Sequence, residues 1–298
     1  MNARAQIRLL PDGRRLHLQD GPIDLVIEAF GAPDQMRNAY RAASARFETA
    51  LDELCGELKH LRTACSAEAS WPSGSIARRM TAAVVPYAAQ YFITPMAAVA
   101  GAVAEEILEA MVSAAELTRA YVNDGGDIAL HLRAGEAFAI AMVDRPDRLS
   151  LFGTTKLTAA DSIRGIATSG WRGRSFSLGI ADAVTVLADR AAAADAAATI
   201  IANAVDLPGH PSIVRVPARK LTPDSDLGDR LVTQGVGHLD ASEIQQALCA
   251  GVVTAEKLLR IGLIRSAALI LQGQTRVVGL KALGTNSTSA EERILLHA

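Results

Sequence analysis

The chain is poor in rings, in cysteine and in any excess of charge. Two Trp, four Tyr and six Phe are all its aromatics, and none lies beyond Phe176, so everything after that point must bury itself with aliphatic side chains. Cys55, Cys65 and Cys249 stand far apart with no pair at two-residue spacing. That excludes a disulfide framework and a zinc knuckle, and fits a reducing compartment. With 30 basic and 32 acidic residues the net charge is -2, and no dense basic run carries interleaved aromatics, so nucleic acid is not an expected partner. The N-terminus, Met1 to Leu10, lacks the apolar run of a signal peptide, which makes the cytoplasm the expected location. His17, His60, His131, His210, His238 and His297 are scattered, and no Gly-x-Ser-x-Gly elbow, P-loop or dinucleotide fingerprint occurs.

What is present is ample apolar material: 298 residues, 50% hydrophobic, enough for one or two globular domains. From Met80 to Ala104 no residue is charged, long enough to cross a bilayer. The stretch is Ala-rich and broken by Pro86 and Pro95, however, so it reads as a buried strand, Tyr87 to Ile93, followed by a buried helix rather than a membrane span. That helix opens at Pro95 and is expected to run to about Thr118, packed on antiparallel strands that include 127–132 and 138–143. Upstream, Ile7–Leu10, Leu16–Leu18 and Ile23–Glu28 read as an antiparallel meander. A long helix after Asp34 follows, its apolar residues Met36, Tyr40, Ala43, Phe47, Leu51, Leu54, Leu58 and Leu61 stepping by threes and fours. The stripe suits a helix laid across a sheet, and its heptad-like steps also suit a coiled-coil homodimer seam. A short helix is expected from Ser75, further strands at Tyr121–Val122, Ile163–Ala167 and Ala183–Leu187, and an Ala-rich helix from Asp189 to Ala204. A change of character after Leu207-Pro208-Gly209 suggests a boundary near Asp206. It would divide a domain over 1–206 from a C-terminal extension over 207–298 with a strand, a helix from about Ala241 and strands near Ile270 and Val277.

Four segments carry chemistry. Pro95-Met-Ala-Ala-Val-Ala-Gly101 opens its helix with small residues, Ala100 and Gly101 among them, that allow very close packing or close approach of a ligand. Asn123-Asp-Gly-Gly-Asp127 allows left-handed backbone at Gly125 and Gly126, whose amides could face an anion while Asn123 or Asp127 takes a hydroxyl; it is equally a plain hairpin turn. Asp195 and Thr199 lie four apart on a predicted helix, so carboxylate and hydroxyl share a face and could reach a hard cation such as Mg2+, or could sit unengaged on a solvated face. Thr168 and Ser169, followed by Arg172 and Arg174, set two hydroxyls and two guanidiniums beside glycine-enabled backbone, a composition for a pyrophosphate or carboxylate, or for a solvated loop.

In order along the chain, Thr94-Pro-Met-Ala-Ala-Val-Ala-Gly-Ala-Val-Ala-Glu105, Asn123 with Gly125-Gly-Asp-Ile128, Gly165-Ile with Thr168-Ser169, Phe176-Ser-Leu-Gly with Ala181-Asp182-Ala183, and Ala194-Asp-Ala with Ala198-Thr199 resemble a numbered family of bacterial and archaeal proteins related to ApbE, the FAD:protein FMN transferase. The resemblance covers roughly residues 5–206. It implies an α+β, ApbE-like fold related to the T-fold, with antiparallel sheets and long helices packed across them. It implies Mg2+ held by Asp195, Thr199 and the carbonyl near Ala100. It also implies FAD or FMN approached by the glycine pair Gly125 and Gly126, and an acceptor protein as partner. Two segments differ from the enzymes: Ala100 is followed by Gly101 where they carry Lys, and Arg174-Ser-Phe-Ser-Leu-Gly179 replaces their His-x-Ile-Asp-Pro-x-Thr-Gly. Three classes therefore stay open: a Mg2+-dependent flavin transferase, a binding or maturation protein without catalysis, and an enzyme on a small heterocyclic metabolite.

Overall fold

A computed structural model describes residues 4–66, 68, 70–143, 151–279 and 293–295. Its centre is a nine-stranded sheet in which every neighbouring pair is antiparallel. The first five strands in space follow chain order: β1 (Gln6–Leu9), β2 (Leu16–Asp20), β3 (Ile23–Gly31), β4 (Leu117–Asp124) and β5 (Asp127–Leu132). The chain then leaves to build β6 (Ala137–Val143) and β7 (Leu151–Thr158). It returns for β8 (Gly165–Ser169) and β9 (Ala183–Ala188), whose register Gly165↔Ala188 to Ser169↔Val184 is unbroken. A hairpin of β10 (Ile213–Pro217) and β11 (Leu231–Val236) stands apart as a two-stranded sheet. Then β12 (Ser266–Leu271) pairs with β9, and β13 (Gln274–Gly279) closes the far edge. β14 (Arg293–Leu295) lies parallel to β6, which makes a second, three-stranded sheet in the order β14-β6-β7.

Helices cover one face of the large sheet. α1 (Pro33–Gly56) starts with Pro33 in its first turn and buries Ala39, Ala43, Phe47, Ala50 and Leu54, a stripe at helical spacing. It packs on β2, β3 and the later helix α4 (Val99–Ala114), so the sheet-crossing reading of the stripe is the one observed. α2 (Leu58–Leu61) is a single turn, and α3 (Ser75–Val84) packs against α4. α4 crosses β4 and β5, while α5 (Ala191–Ala204) crosses β8 and β9. After the short α6 (Ala218–Leu221), α7 (Ala241–Arg260) crosses β12 and β13. α7 opens on a capping box: Asp240 accepts the Ser242 and Glu243 amides at 2.8 and 2.9 Å, and Glu243 accepts the Asp240 amide at 2.8 Å.

The strand period of two sorts the core. Ala120, Val122, Ala129, Ala167, Val186 and Ala188 face the helices, whereas Tyr121, Ile128, Leu130, Ile166 and Leu187 face Phe138, Ile140 and Leu157 on the other side. The strand at 138–143 therefore packs on the face opposite α4, not beneath it as the sequence suggests. Two further expectations are corrected. Tyr87–Ile93 is no strand: a 3-10 turn at Val85–Tyr87 ends in a turn whose Tyr91 amide bonds the Tyr87 carbonyl at 2.9 Å, because Pro86 favours that bend over the extended form its apolar neighbours suggest. The helix expected over 95–118 is a 3-10 turn, Pro95–Ala98, followed by α4 to Ala114. It stops there because Leu117 already pairs with Gly31 in β4, and strand pairing prevails over local helix propensity. Among the described residues no helix is long and apolar enough to cross a membrane.

Candidate functional site

The hairpin joining β4 to β5 is a two-residue loop with Gly125 at φ 60° and Gly126 at φ 110°, a conformation that excludes ordinary side chains and matches the right-handed twist of the flanking strands. A loop of that length places Asp124 and Asp127 opposite one another in the register, hence on one face, and that face is the helix side. Asn123 points to the other side and accepts the Gly126 amide at 2.8 Å. The loop closes on itself, and that amide is already engaged.

Asp195, on α5, reaches the start of α4 and accepts the Gly101 amide at 3.1 Å. A free N-terminal amide and the positive end of the helix dipole both favour a carboxylate there. The return contact comes from Glu105 on α4, which accepts the Ala192 amide at the start of α5 at 2.9 Å and pairs with Arg190 at 2.7 Å. Each helix thus caps the other. Gly101 leaves no room for a Cβ because the Ala191 backbone lies against it, and Gly165 does the same against Arg190 and Ala191. These two glycines let α5 sit close enough for Asp195 to reach Gly101.

Burial and mutual repulsion set the electrostatics. Burial pushes the Asp195 carboxyl up to about 7, partly offset by the Gly101 and Ala100 amides. Asp127 is raised by burial and then by the Asp195 charge, against a hydrogen bond from the Thr168 amide at 3.1 Å. Asp124, 6% exposed, is pushed up to about 7 by burial, with Arg174 pulling it down. Three carboxylates close enough to repel share this corner of the fold, and the Arg174 guanidinium lies against Gly125 where a side chain would stand.

The segments around Ala100 and Gly101, Gly125 and Gly126, Thr168, and Asp195 therefore meet. Thr168 contributes its amide: its hydroxyl turns to the opposite face and bonds Thr185 Oγ1 at 2.9 Å. Ser169 stands beside it in β8, half-buried. Thr199, one turn beyond Asp195, is half-buried with no side-chain hydrogen bond among the described residues. Arg172 is drawn away: its Nε donates to buried Asp182 at 2.6 Å, and its guanidinium stacks 4.4 Å from the Trp171 ring centroid. Among the described residues no three His, Cys, Asp or Glu side chains gather as a metal-ligand group.

Asp124, Glu105 and Asp182 are missing from the sequence-level set. Asp124 was legible in principle, because a two-residue loop puts the residues on either side of it on one face. Asp182, which also accepts the Gln272 amide at 2.6 Å, stood in the family-like Ala181-Asp182-Ala183 segment, but nothing in its neighbourhood pointed to Arg172 as its partner.

Comparison with known proteins agrees with this architecture. The chain is 36% identical over 129 residues to the UPF0280 protein MK0206 of Methanopyrus kandleri, covering 43% of this chain and 48% of that protein. It is 40% identical over 117 residues to a UPF0280 protein of Methanosarcina acetivorans, covering 39% and 44%. It thus spans about half the length of the relatives it matches. Its fold is similar to a structure named flavin transferase ApbE from Vibrio cholerae, with a TM-score of 0.50 at 12% identity over 93% of this chain and 98% of that one. The model of the family described as "AbpE bacteria" matches residues 7–277, and the chain belongs to that ApbE-like family.

Proposed function

We propose that this corner binds a flavin nucleotide, FAD or FMN, or a similar phosphorylated or carboxylated ligand together with Mg2+, and that the reaction it suits is transfer of FMN from FAD to an acceptor protein with release of AMP. The observation that carries the reading is the position of Asp195: a half-buried carboxylate beside two other carboxylates, one turn from an unengaged Thr199 hydroxyl and against the first turn of α4. Oxygen donors of this kind suit a hard divalent cation, and repulsion among the carboxylates is relieved when one arrives. Asp195, Thr199 and the carbonyl near Ala100 would hold it, one carboxylate rather than a cluster supplying the charge. Bound there, the cation supplies Lewis acidity toward phosphate oxygens. The chain's own part is to present the glycine hairpin to the ligand and to offer the Arg174 guanidinium to its negative charge, while the first-turn amides of α4 hold Asp195 in position.

A binding or maturation role without transfer is the second reading. It draws on Arg174 and its neighbours, which stand where the related enzymes carry a His-Asp-Pro segment, and on Arg172, which Asp182 holds. An enzyme acting on a small heterocyclic metabolite is the third. Incubation with FAD and Mg2+ separates them: AMP release supports transfer, and binding without release supports the second. Calorimetric titration of FAD into wild type and Asp195→Asn, each with and without Mg2+, tests the site itself. Metal-dependent affinity is expected in the wild type and is lost in the variant; four equal affinities remove the metal assignment.

A further inference from the structure

The segment 88–94 has neither helix nor strand, yet it leads into the 3-10 turn and so sets where the first turn of α4 meets Asp195. Its anchors come from far along the chain. Thr94, 2% exposed, donates its hydroxyl to the Asp226 carboxylate. The Arg230 guanidinium lies 3.2 Å from the centroid of the Phe92 ring, and Lys257 of α7 lies 5.8 Å from that of Tyr91. A buried hydroxyl needs an acceptor and a carboxylate is a strong one, while a cation over a ring fixes a side chain that no secondary structure holds. From Thr94 the path to the site is short. Its carbonyl accepts the Ala97 amide at 3.1 Å to close the 3-10 turn, and the Gly101 amide then bonds Asp195 at 3.1 Å.

We propose that residues 226–230 form a clasp on the ligand-binding turn, with Asp226 a positioning residue that acts through Thr94 to hold the α4 amides in place. The region after Asp206 thereby becomes a working part of the site. The affinity half of the test rests on the function proposed above; the amide-exchange half does not.

The experiment is hydrogen exchange of the full chain, read at residues 97–101 and at β4–β5, with titration of FAD plus Mg2+ into the same samples. Asp226→Ala should speed exchange at 97–101 about tenfold, leave β4–β5 protected and weaken FAD binding about tenfold, because opening of the turn competes with the bound form. Asp226→Asn, which keeps an acceptor oxygen, should restore both. Arg230→Gln, on an exposed side chain, should give about a threefold change in the same direction and decides the matter if Asp226→Ala does not fold. Unchanged exchange at 97–101 in the folded variants overturns the clasp. So does faster exchange with unaltered affinity in a protein whose wild type binds FAD. If the wild type binds no FAD with Mg2+ while exchange at 97–101 responds, the clasp stands and the proposed function falls.

Discussion

The two faces of the large sheet are built from different material. Where α4 and α5 meet, the helix face packs through small residues: α5 alone buries seven alanines, and glycines at 101 and 165 bring helix backbone into contact. The opposite face is lined by Ile and Leu, with Phe138 edge-on to Phe30 and Tyr121 at centroid distances of 6.1 and 6.0 Å and Arg119 5.3 Å above it. Small residues let backbones approach until a carboxylate on one helix reaches the amides of the next, so the candidate site lies on the alanine side. On the other side large rings fill the space between the elements and hold their backbones apart.

The comparison breaks first at Phe138, whose replacement by Ala should cost about 3–5 kcal/mol in urea unfolding; a loss below about 1 kcal/mol would mean that the ring face is loosely packed. On the helix side the damaging change is enlargement, not truncation. Gly165→Ala places a methyl against the Arg190 and Ala191 backbone and should cost about 1–3 kcal/mol, read by the same measurement. A neutral result there would show that α5 can lift off the sheet without penalty.

The third prediction concerns pH. Burial holds the folded Asp124 carboxyl at about 7 against 3.8 for the free group, so the folded chain binds that proton more tightly. The resulting stability is fully present below the unfolded value and is lost as pH rises through the folded one. Asp127 and Asp195 act in the same direction. Asp124→Asn should therefore be more stable than wild type by on the order of 1–2 kcal/mol near pH 8, with the difference shrinking as pH falls and vanishing only below the unfolded value, at about pH 3.5. Urea midpoints at both pH values check it, and a variant less stable near pH 8 would show that the charge is compensated.

The smallest effect concerns the two parts of the chain. We propose Asp206 as the junction between the ApbE-like part and a C-terminal extension. Because β12 of the extension is hydrogen-bonded to β9, fragments cut between Asp206 and Pro211 by limited proteolysis should elute together on a sizing column. Fragments that separate and stay folded would make them independent domains.

Legibility followed the range of the cause. The α1 stripe, the β4–β5 hairpin and the helices at 191–204 and 241–260 were readable because periodicity, paired glycines and a capping box act within a few residues. The Tyr87–Ile93 segment bends at Pro86 instead of forming a strand, and its Tyr91 and Phe92 rings meet Lys257 and Arg230, partners more than a hundred residues away that leave no local mark. Strand β11 and the separate sheet of β6 and β7 were also unforeseen, since pairing partners leave no local mark. By itself the sequence determined the small residues, the glycines at positive φ and the carboxylates flanking them. Only the tertiary structure decided that Asp195 meets the start of α4, that Thr168 offers its amide rather than its hydroxyl, and that Asp182 takes Arg172, because each depends on how closely two helices and a sheet pack.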